Sequence, residues 1–120
     1  MAESRWQDIF LHLKRCGFDV YAPGQKTGEC RKEYVVVRQE DASADADVSS
    51  THHYYDILCY VPANSYSRIE PFFLQVKEAM KGLYPMIRPT DTDTPPYLDT
   101  TVKAHMMSST YENIRKIERR

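Results

Sequence analysis

Little in this chain commits it to a charged, oxidised or membrane-bound setting. Its 120 residues carry 16 Lys and Arg against 17 Asp and Glu, a formal net charge of −1. No overall field therefore draws it to nucleic acid or to a membrane surface. There are three cysteines, Cys16, Cys30 and Cys59, with no CxxC pair. That excludes a disulfide framework and a zinc knuckle, and the thiols read as small hydrophobes in a reduced, cytosolic chain. No stretch approaches the ~20 apolar residues of a membrane helix. The opening "MAESRWQD" has no basic region leading into an apolar run, so it does not read as a signal peptide. A P-loop, a G-x-G-x-x-G turn, a nucleophile elbow and an RNP, KH or helix-turn-helix pattern are all missing, as is any internal repeat.

What is present points to one folded domain over residues 1–120. Hydrophobic residues make up 42% of the chain and Tyr alone occurs nine times, which a disordered sequence would not show. Residues 4–16, "SRWQDIFLHLKRC", set Trp6, Ile9, Phe10 and Leu13 at i, i+3, i+4 and i+7, one apolar face of a helix. Ser4 with Gln7 predicts a capping box, and Gly17 a C-terminal stop. A second helix is predicted over 67–83, where Ile69, Phe72, Phe73, Val76, Met80 and Leu83 repeat at helical spacing. Ser67 with Glu70 forms a second capping-box pattern, and a start just before Pro71 is the alternative.

The remaining regular segments read as strands. Residues 18–22 form a short one, 33–39 ("EYVVVRQ") a buried one, and 51–61 ("THHYYDILCYV") the longest. On that last strand His53, Tyr55, Ile57, Cys59 and Val61 share one face. A hairpin joining 33–39 to 51–61 has a mobile acidic loop, 40–50, at its tip. Residues 86–89 suggest a further short strand. The proline loop 90–100, "TDTDTPPYLDT", is expected to hold no regular structure. From 102 to about Tyr111 the chain alternates with period two. Met106 joins Val102 and Ala104 toward the core, while His105 and Met107 face solvent or a neighbour. A basic tail, 112–120, follows. The expected fold is α+β in the order α-β-β-β-α-β-β. Its mainly antiparallel sheet has four to five strands, with both amphipathic helices packed on one face.

Candidate chemistry is sparse. Adjacent strand residues point to opposite faces, so the triplet His105, Met106, Met107 cannot grip one ion, and neither can His52 with His53. Asp91, Asp93 and Asp99 begin like a calcium loop, but Pro96 and Val102 occupy the positions that need Gly and Glu. Cys59 lies mid-strand among apolar neighbours, where a thiol stays protonated and inert. Basic residues near the end, Arg115, Lys116, Arg119 and Arg120, form no recognised nucleic-acid motif. The expectation is a non-enzymatic protein with no cofactor, no metal, no specific nucleic acid and no membrane. The other reading is a small-molecule or metal-binding α+β domain using the His-rich sheet face.

The order of these pieces resembles the small tail-terminator and tail-completion (head-tail joining) proteins of long-tailed bacteriophages and prophages. The resemblance runs from "WQDIFLHLKRCGFDVYAPG" through "KEYVVVRQ", a variable polar insertion, "HHYYDILCYVP" and "RIEPFFLQVKEAMKGL". It ends in "MIRPTDTDTPPYLDTTVKAHMMSSTYENIRK". The two histidines opening the third strand and the length of the acidic insertion depart from the pattern. The resemblance implies a subunit of an oligomeric ring, a hexamer. Such a ring is assembled in the bacterial cytoplasm and carried in the virion, where it caps the tail tube and meets the head connector or neck protein. On that basis the candidate assembly residues are Asp41, Asp45 and Asp47 in the acidic loop and Pro96 and Tyr97 in the proline loop. His105 and Met107 on the last strand and Arg115 and Lys116 beyond it complete the set. Loops this long are usually functional or disordered.

Overall fold

The computed structural model describes residues 5–40 and 50–116. Helix α1 spans Trp6–Arg15. It stops where the sequence places Gly17. That glycine adopts φ 97, the Gly17 N–H donates to the Lys14 carbonyl and the Phe18 N–H to the Leu13 carbonyl. This pair of bonds is a Schellman ending, which needs a residue without a Cβ penalty at positive φ. The helix begins after Arg5 with no side-chain cap, and the predicted cap Ser4 lies outside the described residues.

Six strands follow: β1 Val20–Tyr21, β2 Tyr34–Glu40, β3 Ser50–Pro62, β4 Arg88–Asp93, β5 Tyr97–Asp99 and β6 Ala104–Lys116, with α2, Ile69–Met80, between β3 and β4. The sheet order is β1-β2-β3-β6-β4, and β5 pairs with β6 beside β4. All pairings are antiparallel except β1 with β2. The expected α+β class, the one-sided helix layer and the β2–β3 antiparallel pair are therefore present, in a mixed sheet with more strands than expected.

Three expectations need correction. First, the Thr- and Asp-rich proline loop holds two strands. The outer edge of β6 offers ladder groups, and threonine suits a pleated strand. The Thr90 hydroxyl donates to the Thr110 carbonyl at 2.9 Å, and the Thr94 N–H donates to the Ser108 carbonyl at 2.9 Å. A register shift between Pro89 and Thr92 is absorbed by Asp91 at φ 63, a conformation Asp tolerates better than most residues. Second, β6 does not end at Tyr111 but continues to Lys116, because β3 is equally long and pairs with it from Pro62–Ala104 to Ser50–Lys116. Residues 112–116 are thus strand and not tail. Third, the second capping box does not form. A 3₁₀ turn over Ala63–Arg68 runs directly into α2, so Arg68 rather than Ser67 occupies the N-cap position and no side-chain cap bond is made. Pro71 then falls in the first turn of α2, where a missing N–H costs little.

Both helices cover one sheet face. Ile9 and Leu13 of α1 and Ile69, Phe72, Phe73, Val76 and Met80 of α2 bury against Val35, Val37, Tyr55, Ile57, Cys59 and Val61. The helices meet at a close approach. A Cβ on Gly82 would lie 2.8 Å from His12 Cε1, and His12 Nε2 sits 2.7 Å from the Ala79 carbonyl oxygen. Glycine at 82 leaves room for that imidazole to reach a carbonyl in the last turn of α2.

Candidate assembly surface

Register decides which β6 side chains face the helices. Cys59 lies opposite Met107, and Tyr55 opposite Tyr111. Cross-strand partners share a face, so Met107 and Tyr111 join the helix-side core, where both are buried. Met106 is also buried but lies on the other side, opposite Tyr60. Ala104 and Met106 are buried as expected, but on the face away from the helices, while His105 and Met107, expected toward solvent or a neighbour, lie on the helix side. Period-two alternation separates two sets of residues without saying which set meets the helices. His105, on the same side as Met107, is half-buried against the edge of the Tyr66 ring at 4.7 Å.

Among the described residues the opposite face carries no helix. Its proximal part is covered by the chain before β2. Cys30 and Tyr34 bury there with Ala104, alongside Tyr21, Val36, Tyr60 and Val102. The Cys30 N–H donates to the Val102 carbonyl at 2.7 Å. Tyr34 stacks on Tyr60 at 4.8 Å, and burial pushes both phenols above their ordinary range. Farther along, this face turns polar. Asp56, only 7% exposed, accepts from Arg38 Nη2 at 2.6 Å and from the Thr110 hydroxyl at 2.8 Å. A buried carboxylate needs this kind of double satisfaction. The sequence marks it only as an acidic residue within an apolar strand, and the partners become visible only with the register.

Beyond Asp56 the sheet narrows. The last β2 pair is Glu40 with Tyr54, and the last β4 pair is Arg88 with Glu112. Residues 50–53 and 113–116 pair only with each other among the described residues. Four residues of strand extend about 14 Å, so among the described residues β3 and β6 reach past the paired parts of β2 and β4 as a two-stranded ribbon. At its base Asn113 is 6% exposed, and its Nδ2 donates to the Met86 carbonyl at 2.8 Å. The core thus ends on a fixed polar contact where the ribbon begins.

The candidate residues are spread along the molecule. Arg115 and Lys116 lie on the ribbon, paired with Thr51 and Ser50. Asp41, Asp45 and Asp47 lie outside the described residues. The chain enters and leaves their segment at the same sheet end, from Glu40 and into Ser50. Pro96 is exposed, and Tyr97, 50% exposed, stands on β5 opposite Met106, away from the ribbon. Met107 is core and is withdrawn from the interface set. The histidines do not converge either: His53 pairs with Asn113 and His105 with Val61, at opposite ends of the strands. Among the described residues no group of three or more His, Cys, Asp or Glu side chains is placed to hold a metal ion. Cys59 is fully buried and burial raises its thiol pKa, so at neutral pH it is a protonated core group. No protein-family model matches the chain, and no curated protein matches it at a significant level.

Proposed function

We propose that this chain is a structural assembly protein of a phage or prophage tail. In this reading it caps the tail tube, joins tail to head, or does both, as one subunit of an oligomeric ring, a hexamer. Its partners are the tail-tube protein and the head-connector or neck protein. It assembles in the bacterial cytoplasm and ends in the virion. The observation that supports the reading is the β3–β6 ribbon. A two-stranded ribbon is marginal alone in water, and among the described residues its edges have no strand partner, which invites pairing with another chain. A closed ring of head-to-tail contacts covers such edges on every subunit at once. The helix-free face, with Tyr54 and Glu112 half-buried on it, adds a second surface for a neighbour. The resemblance in element order to tail-terminator and tail-completion proteins gives the ring its proposed place.

The test is functional. Purified protein is added to tail-tube protein during tube polymerisation, and tube lengths are measured by electron microscopy. Capping predicts shorter tubes with a ring-shaped density at one end. Unchanged tube lengths with bare ends, across a molar excess of the protein, would contradict capping. The same particles incubated with purified connector test the joining role.

A further inference from the structure

A cavity of about 350 Å³ lies between the C-terminal end of α2 and the start of β4. Met80, Ile87, Pro89 and Tyr111 form its walls. Met80 is 2%, Ile87 1% and Tyr111 3% exposed, so the floor belongs to the core and is held in place. The lining is largely apolar and open to solvent on one side, so a guest seated there removes apolar surface from water. The volume is at the low end of the roughly 300–1,000 Å³ typical of small-molecule sites, which suits a single ring or a short branched chain. Tyr84, 63% exposed, stands at the mouth as an aromatic wall with little cover of its own.

The charged groups at the rim, Lys77 and Lys81, are both cations. Lys77 is tied to Asp93 at 2.7 Å, which straps α2 to β4 and fixes one side of the opening. Lys81 pairs with Glu78 at 3.0 Å on the same helix, with both side chains 73% exposed. Exposed pairs at this spacing hold weakly, so the Lys81 ammonium is available to a second anion beside the cavity.

We propose that this cavity binds a small amphiphilic carboxylate, with a single aromatic ring or branched aliphatic body seated against Tyr84 and Pro89 over the buried floor and its carboxylate on Lys81. The site is independent of the ribbon and does not rest on the assembly reading. It uses none of the histidines. An aromatic guest gains from an offset or edge contact with Tyr84, and the anion gains from an ammonium next to an apolar wall.

The experiment is a ¹H–¹⁵N NMR titration of the full chain with 3-phenylpropionate, and in parallel with the neutral 3-phenylpropionamide. The expected result is saturable shifts centred on the amides of Lys81, Tyr84, Ile87 and Tyr111. The acid should bind about fivefold more tightly than the amide. Lys81→Gln should abolish that preference while leaving amide binding and the melting temperature unchanged. No saturable shift at these amides, or equal affinity for acid and amide, would overturn the proposal.

Discussion

The Trp6 indole Nε1–H donates to the Val37 carbonyl at 2.7 Å, tying the first turn of α1 to β2. Val37 lies just past the residues that pair with the short edge strand β1. The contact satisfies a strand carbonyl that no β1 residue reaches. Trp6 also stacks on Phe10 at 4.9 Å, so the ring has both an anchor and a packing role.

Trp6→Phe separates the two roles. It keeps an aromatic ring against Phe10 and removes the donor, leaving the Val37 carbonyl without its partner. The expected loss is about 1 to 2 kcal/mol in urea-induced unfolding. A loss near zero would mean that the bond adds nothing beyond packing.

The face assignment of β6 has a direct mutational consequence. Met107 is 8% exposed and packs in the helix-side core, so Met107→Ala should cost about 2 to 4 kcal/mol. His105 is half-buried at the margin of the core, and His105→Ala should cost under about 1 kcal/mol. Unfolding curves that ranked the two in the opposite order would restore the facing expected from the sequence.

The Asp56 contacts predict a polar contribution from a face without helices. Asp56→Ala removes the acceptor of both Arg38 and Thr110 and should destabilise by about 1.5 to 3 kcal/mol. Arg38→Ala should cost less, because that side chain is 49% exposed and its interaction is screened by solvent. Equal losses from the two variants would argue that Arg38, not the buried carboxylate, is the dominant group.

The legible parts of the fold were those in which local pattern and environment agree. Both helices follow from 3.6-residue periodicity, and Gly17 marks the end of α1 through its positive φ. The central strands stood out through β-branched content. The hidden parts were those decided by partners far along the chain. Residues 90–93 look like loop because Thr and Asp are read locally, yet the outer edge of β6 recruits them. The reach of β6 to Lys116 depends on the length of β3, whose Ser50 lies opposite Lys116 from far earlier in the chain. The ribbon and the Asp56 contacts are likewise properties of register, and the cavity below α2 is a property of packing. None of these leaves a motif, which is why the site residues were less legible than the architecture.

Cys59 gives the protein an alkaline weakness. Burial holds its thiol above the ordinary value of 9.0, so the folded chain keeps the proton while the unfolded chain loses it above about pH 9. The unfolded state then binds fewer protons, and stability falls as pH rises, by up to about 1.4 kcal/mol per pH unit from this group. Below the unfolded pKa the contribution is constant. Urea midpoints between about pH 7 and 10, in reductant, should decline above about 9. The decline should be shallower in Cys59→Ala, and an identical decline in both proteins would remove Cys59 as its source.

The central claim is that the β3–β6 ribbon assembles subunits, and native mass spectrometry with negative-stain microscopy measures it most directly. The full chain, alone at high concentration or with tail tubes, should give a closed ring of about six copies. A chain truncated after Asn113 keeps the buried base of the ribbon and loses one of its strands. It should melt within a few degrees of the full chain and remain monomeric. A full chain that stays monomeric with tubes present, or a truncated chain that still forms the ring, would contradict the account.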